Sequence, residues 1–119
     1  MITEARRIGQ ATVIKLFESR LGGDIAAEFK TEIEKYVEAG ETRIVLDLAN
    51  LTFMDSSGLG AILSVFKMIG KRGDLAIAGT QGAVQNLFRL THMDKVFRSY
   101  ATVPEAIAAL TPHRAFQGY

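Results

Sequence analysis

The chain has 119 residues, a formal net charge of +1 and no cysteine. Apolar residues make up 48% of it and charged residues 23%, the balance of a globular chain rather than a disordered one. That length suits one domain whose core needs no staple. The missing cysteines exclude disulfides, thiolate metal sites and thiol nucleophiles and are compatible with a cytoplasmic setting.

Near-neutral charge with no basic stripe argues against direct binding to nucleic acid. The opening segment MITEARRIGQ lacks an apolar signal core. The longest mainly apolar stretch, Leu59 to Ile69, falls far short of the roughly 20 residues that a bilayer span needs. No membrane insertion is expected.

In chain order, Ile2 to Arg6 reads as a short edge strand. The β-branched run Thr12 to Glu18 reads as a second strand, broken by LGGD. Ile25, Phe29, Ile33, Tyr36 and Val37 mark one face of an amphipathic helix that ends near Gly40. In RIVLDL, the consecutive Ile44, Val45 and Leu46 predict a strand covered on both faces. It is expected to lead through Leu51 to Met54 into the turn DSSG.

Leu59, Ile62, Leu63, Phe66 and Ile69 then follow helical spacing. The helix is expected to stop at Gly73, with Lys67, Lys71 and Arg72 favouring its C-terminus. LAIAG is a strand. AVQNLFRL is a helix with Val84, Leu87 and Phe88 on one face. KVFRSY is a strand, and Thr102, Pro104 and Glu105 open a last helix with a capping box. Strands alternating with helices predict an α/β domain, with a mixed, mostly parallel sheet flanked by about four helices. The domain is expected to span residues 1–110, with a flexible C-terminal tail at 111–119.

The segment FMDSSGLGAIL, Phe53 to Leu63, carries the chemistry. It lies where a strand end meets a helix start, the edge at which open α/β sheets gather their sites. A helix N-terminus offers unpaired N–H groups and partial positive charge, and accepts anions. Asp55, Ser56 and Ser57 are all favoured caps. Simple capping and a functional hydroxyl are therefore both open readings. Gly58 and Gly60 in the first turn each cost about 1 kcal/mol relative to alanine, and close approach by a partner or ligand is one return.

Several enzymatic readings fail. GLGAILS lacks the lysine of a phosphate loop, and GLGAIL lacks the third glycine of a dinucleotide fingerprint. Neither serine sits in Gly-x-Ser-x-Gly. His92, in RLTHMD, reads as a loop residue rather than a catalytic base. No paired acids follow the first strand to make Asp55 a phosphoacceptor. No enzyme activity, cofactor or metal is expected. Ser56 or Ser57 as the substrate of another enzyme survives: phosphate there meets repulsion from Asp55 and compensation from the helix end.

The run LDLANLTFMDSSGLGAILSVFKMIGKRGDLAIAG, continued by AVQNLFRLTHMDKVFRSYATVPEAIAAL, resembles the STAS domain. Within that family it is similar to the stand-alone anti-sigma factor antagonists. The resemblance implies partner switching in the control of transcription, as in stress responses. The unmodified antagonist binds an anti-sigma factor serine kinase with a histidine-kinase-like ATPase fold. Phosphorylation breaks that complex, and a PP2C-type phosphatase restores it.

The phosphorylated hydroxyl maps onto Ser56, and Asp55, Ser57, Gly58, Leu59 and Gly60 map onto the docking turn. The family often carries an aspartate where SRLGGD has Gly22. Asp24, two residues later, is either a replacement for it or, more simply, a cap for the following helix, and its region is expected to join the docking turn in binding the partner. The alternative expectation is a STAS accessory subunit of a membrane transport or lipid-trafficking system that is not phosphorylated.

Overall fold

The computed structural model describes residues 3–110, so the tail expected at 111–119 lies outside the described residues. Its elements are β1 (Thr3–Ile8), β2 (Ala11–Leu16), β3 (Arg20–Leu21), α1 (Gly23–Glu38), β4 (Arg43–Asp47), β5 (Phe53–Met54), α2 (Ser56–Ile69), β6 (Asp74–Ala78), α3 (Gly82–Leu90), β7 (Arg98–Tyr100) and α4 (Val103–Leu110). Five strands form the main sheet in the order β1-β2-β4-β6-β7. β1 runs antiparallel to β2, with Thr3 opposite Leu16 and Ile8 opposite Ala11. The other pairings are parallel, as helix-bearing crossovers require.

Alternating side chains divide the interior into two cores. Ile14, Leu16, Ile44, Leu46, Leu75 and Ile77 face one side of the sheet. There they meet Phe29, Ile33 and Val37 of α1, Ile62 and Val65 of α2, and Val84 and Phe88 of α3. Phe97 closes this core, with Phe66 edge-on at 5.5 Å between ring centroids and Phe88 tilted at 5.8 Å. The opposite side is lined by Ala11, Val13, Val45, Ala76 and Ala78, and α4 covers it with Ala106 and Leu110. β4 is thus buried on both faces, as its unbroken apolar run predicts.

β1 and β2 are offset by one or two residues from the expected Ile2–Arg6 and Thr12–Glu18, and three further boundaries differ from expectation for identifiable reasons. α2 stops at Ile69, because Gly70 turns into the left-handed region at φ 54° and its N–H caps the Phe66 carbonyl. Gly73 is extended, and its bare Cα instead admits the Thr42 carbonyl, which a Cβ would strike. Arg72 donates to the Met68 carbonyl at 2.9 Å, so this basic residue does serve the helix end. The KVFRSY strand shrinks to Arg98–Tyr100, since Lys95 closes a 3-10 turn and Phe97 is consumed as a core anchor. At the last helix, the Thr102 hydroxyl accepts from the Glu105 N–H at 3.3 Å, one half of the expected capping box.

The third difference positions the site. The turn DSSG does not continue from β4. Asp47 folds its side chain onto the Ala49 N–H (3.1 Å), a local turn that ends the strand. Leu51 N–H bonds back to the Leu48 carbonyl at 3.0 Å. The chain then forms β5, which pairs in parallel with β3 as a separate two-stranded ribbon.

Candidate functional site

The ribbon sets Arg20 opposite Phe53 and Leu21 opposite Met54. Thr52 and Phe53 N–H groups donate to the Ser19 carbonyl, and the Asp55 N–H donates to the Leu21 carbonyl at 3.3 Å. These bonds tie the start of α2 to the loop preceding α1, residues more than thirty positions away in sequence. Asp55 is extended (φ −106°, ψ −173°), and its side chain accepts from the Gly58 N–H at 3.0 Å. That is the N-cap bond, and it leaves the carboxylate at the positive end of the helix.

Because Asp55 is the cap, the two serines that follow are not needed for it. Ser56 and Ser57 are exposed, and neither hydroxyl makes a hydrogen bond among the described residues. Ser57 lines a surface groove of about 360 Å³ between α1 and α2, with Gly23, Ala26, Lys30, Gly60 and Ser64 among its walls. Leu59 is half-buried against the main core.

The two glycines of the turn serve different ends. Gly58 is buried; a Cβ there would lie 2.3 Å from the Leu21 carbonyl oxygen and 2.9 Å from Met54. Its close approach is to the protein's own ribbon, which corrects the expectation that it faces a partner. Gly60 is exposed, and a Cβ there meets nothing within 4 Å. It remains available to an incoming surface.

Asp24 does not cap α1. It stands exposed in the helix's first turn, while Gly22 is the N-cap and makes no side-chain cap bond. The backbone supplies the bond instead, from the Ile25 N–H to the Gly22 carbonyl at 3.2 Å. Asp24 lines neither groove beside the turn.

Gly22 has an extended backbone, at φ −171°, that any residue adopts. A Cβ there would sit 2.4 Å from Oδ2 of Asp55, so a side chain at 22 requires that carboxylate, the cap of α2, to shift.

A further feature escaped the sequence reading. The Arg20 guanidinium lies over the Phe53 ring, 4.3 Å from its centroid. The two residues share a groove of about 310 Å³ with Gly22, Gly23, Ile25 and Asp55. No local pattern pairs positions so far apart, and only the ribbon register brings them together.

A family model of the STAS domain matches residues 3–106. The chain belongs to the STAS domain family. The anti-sigma F factor antagonist of Paenibacillus polymyxa is 38% identical over 68 residues, covering 56% of this chain and 58% of that protein. The match therefore spans less than two thirds of that relative. A crystal structure of an anti-sigma factor antagonist from Mycobacterium paratuberculosis superposes with a TM-score of 0.84 at 22% identity, covering 92% of both chains. The phosphorylated form of the Bacillus cell fate determinant SpoIIAA superposes with a TM-score of 0.69, also at 22% identity, over 92% of this chain and all of that one. At such identities the two structures speak to the fold. The resemblance to a STAS domain, carried by the Asp-Ser-Ser-Gly-Leu-Gly turn, is borne out. Among the described residues, no helix of this STAS domain is long and apolar enough to cross a membrane.

Proposed function

We propose that this STAS domain is an anti-sigma factor antagonist that works as a non-catalytic partner switch, with Ser56 as the phosphorylated residue. The observation that carries the reading is the division of labour in the turn. Asp55 caps α2 through the Gly58 N–H, so the exposed Ser56 hydroxyl is left without a hydrogen-bonding task among the described residues. The unmodified turn, with Ser57, Leu59 and Gly60 beside Ser56, docks on an anti-sigma factor serine kinase of the histidine-kinase-like ATPase fold. Phosphate on Ser56 releases that kinase, and a PP2C-type phosphatase resets the switch. The relatives' names support the anti-sigma assignment, and one neighbour is itself described in a phosphorylated form.

The energetics suffice without refolding. A phosphate adds nearly two negative charges. Repulsion from Asp55 is offset by the helix N-terminus, whose attraction is commonly about 0.3–1 kcal/mol, so the domain tolerates the group. A docked protein has no such compensation. Like charges brought together at an interface cost several kcal/mol, and about 2.8 kcal/mol already lowers affinity a hundredfold.

The test uses Ser56→Ala and Ser56→Asp forms as baits in lysate of the native organism. Capture of a histidine-kinase-like ATPase by the alanine form alone is the expected result. Equal capture of membrane-transport components by both forms would replace the switch with the accessory-subunit reading.

A further inference from the structure

The Arg20–Phe53 pair lies on the ribbon that holds the Asp55 turn. Phe53 is 38% exposed, one of the few large apolar side chains left at the surface. The guanidinium rests on its ring, and among the described residues no carboxylate or carbonyl takes its N–H donors. Stacking occupies the face of a guanidinium and leaves its in-plane donors free. Arg20 and Phe53 line the groove that Gly22, Gly23, Ile25 and Asp55 complete, and the ring leaves the guanidinium's donors available to a ligand there. Exposed arginine and aromatic side chains beside a pocket are the residues that dominate binding energy at protein interfaces, and an unpaired fork fits a carboxylate bidentately.

We propose that this groove receives an aspartate or glutamate side chain of the docking protein, gripped by Arg20 on its Phe53 platform. The inference rests on the reading of the Asp55 turn as a docking surface and names the chemistry read there. Gly22 lines the groove without a side chain of its own. Asp55 also lines the groove, and its Oδ2 accepts no hydrogen bond among the described residues. With Ser56 unmodified, the groove is lined by one positive and one negative side chain, and an incoming acid is held by Arg20. Phosphate on the neighbouring Ser56 adds nearly two negative charges and expels that acid. The switch then acts on an identified contact rather than on the interface at large.

The test needs no identified partner. A random peptide library displayed on phage is selected in parallel on the full chain and on its Arg20→Gln, Arg20→Glu and Ser56→Asp variants, each first checked for an unchanged thermal melt. On the native chain, retained peptides should be enriched in aspartate or glutamate. Their retention should fall about tenfold or more on Arg20→Gln, the loss expected for one charge-assisted hydrogen bond. Arg20→Glu should select lysine or arginine peptides instead. Retention of the same peptides by the native chain and both Arg20 variants, enrichment without an acid, or no peptide that depends on Arg20 would overturn the proposal. Acidic peptides that require Arg20 yet bind Ser56→Asp equally well would keep the groove and remove the phosphate switch from it.

Discussion

The two helices that meet at the site begin in opposite ways. α2 opens on a carboxylate, Asp55, which caps the Gly58 N–H. α1 opens on a bare backbone, Gly22, with no side-chain cap. The contrast is not two independent choices of sequence. A Cβ at Gly22 would sit 2.4 Å from Oδ2 of the Asp55 carboxylate, so a side chain at one helix start and the cap of the other bear on the same space. The acidic residue that ought to cap α1, Asp24, falls inside the first turn instead, where its charge still favours the helix end. Capping in a folded domain is thus decided between elements, not within each.

The comparison can be broken most severely at Gly58, where the two helix starts are stitched together. Gly58→Ala drives a methyl into the Leu21 carbonyl, and backbone on that side has little freedom to yield. A loss of about 1–3 kcal/mol is expected, read as a lowered urea midpoint with an unchanged slope. Next comes Gly22→Asp, which installs the family's acid and forces Asp55 out of its position. The expected loss is about 1–2 kcal/mol, the cap together with crowding. Combining it with Asp55→Ala sharpens the point. If the two positions share one volume, the double variant should be clearly more stable than the sum of the singles predicts, by about 0.5 kcal/mol or more.

Asp55→Ala alone should cost about 1 kcal/mol, and Asp55→Asn distinctly less, because an amide oxygen also caps. Gly60→Ala reverses the sign. That site lies within α2 with open space around it, so alanine should stabilise by up to about 1 kcal/mol, while weakening any partner that approaches there. Ser56→Ala should be the mildest, within about 0.5 kcal/mol in a thermal or urea melt. A larger loss would mean that the serine, and not Asp55, carries the cap.

Much of the fold is legible in the chain itself. Helical spacing in α1 and α2, the unbroken apolar run of β4 and the Thr102 cap of α4 are local signals, and each predicted its element. The misplaced boundaries have separate causes. At Phe97 a core aromatic overrides a strand-like run. At Gly70 and Gly73 two nearby glycines compete to end one helix, and sequence does not say which has the positive φ and which admits a neighbouring carbonyl. At Asp47 an Asx turn cuts short what reads as continuous strand.

The sequence by itself determined the alternation of strand and helix, the family, and the acidic, hydroxyl-bearing turn at Asp55 to Ser57. These depend on residues close together in the chain, whose spacing is readable one after another. The tertiary structure alone decided that the turn hangs from a separate β3–β5 ribbon, that Gly58 faces inward and Gly60 outward, that Gly22 yields to Asp55, and that Arg20 lies on Phe53. Each of those is a contact between segments brought together by folding. Exclusion of one side chain by another, and stacking of one on another, are properties of shared space that no single stretch of chain contains.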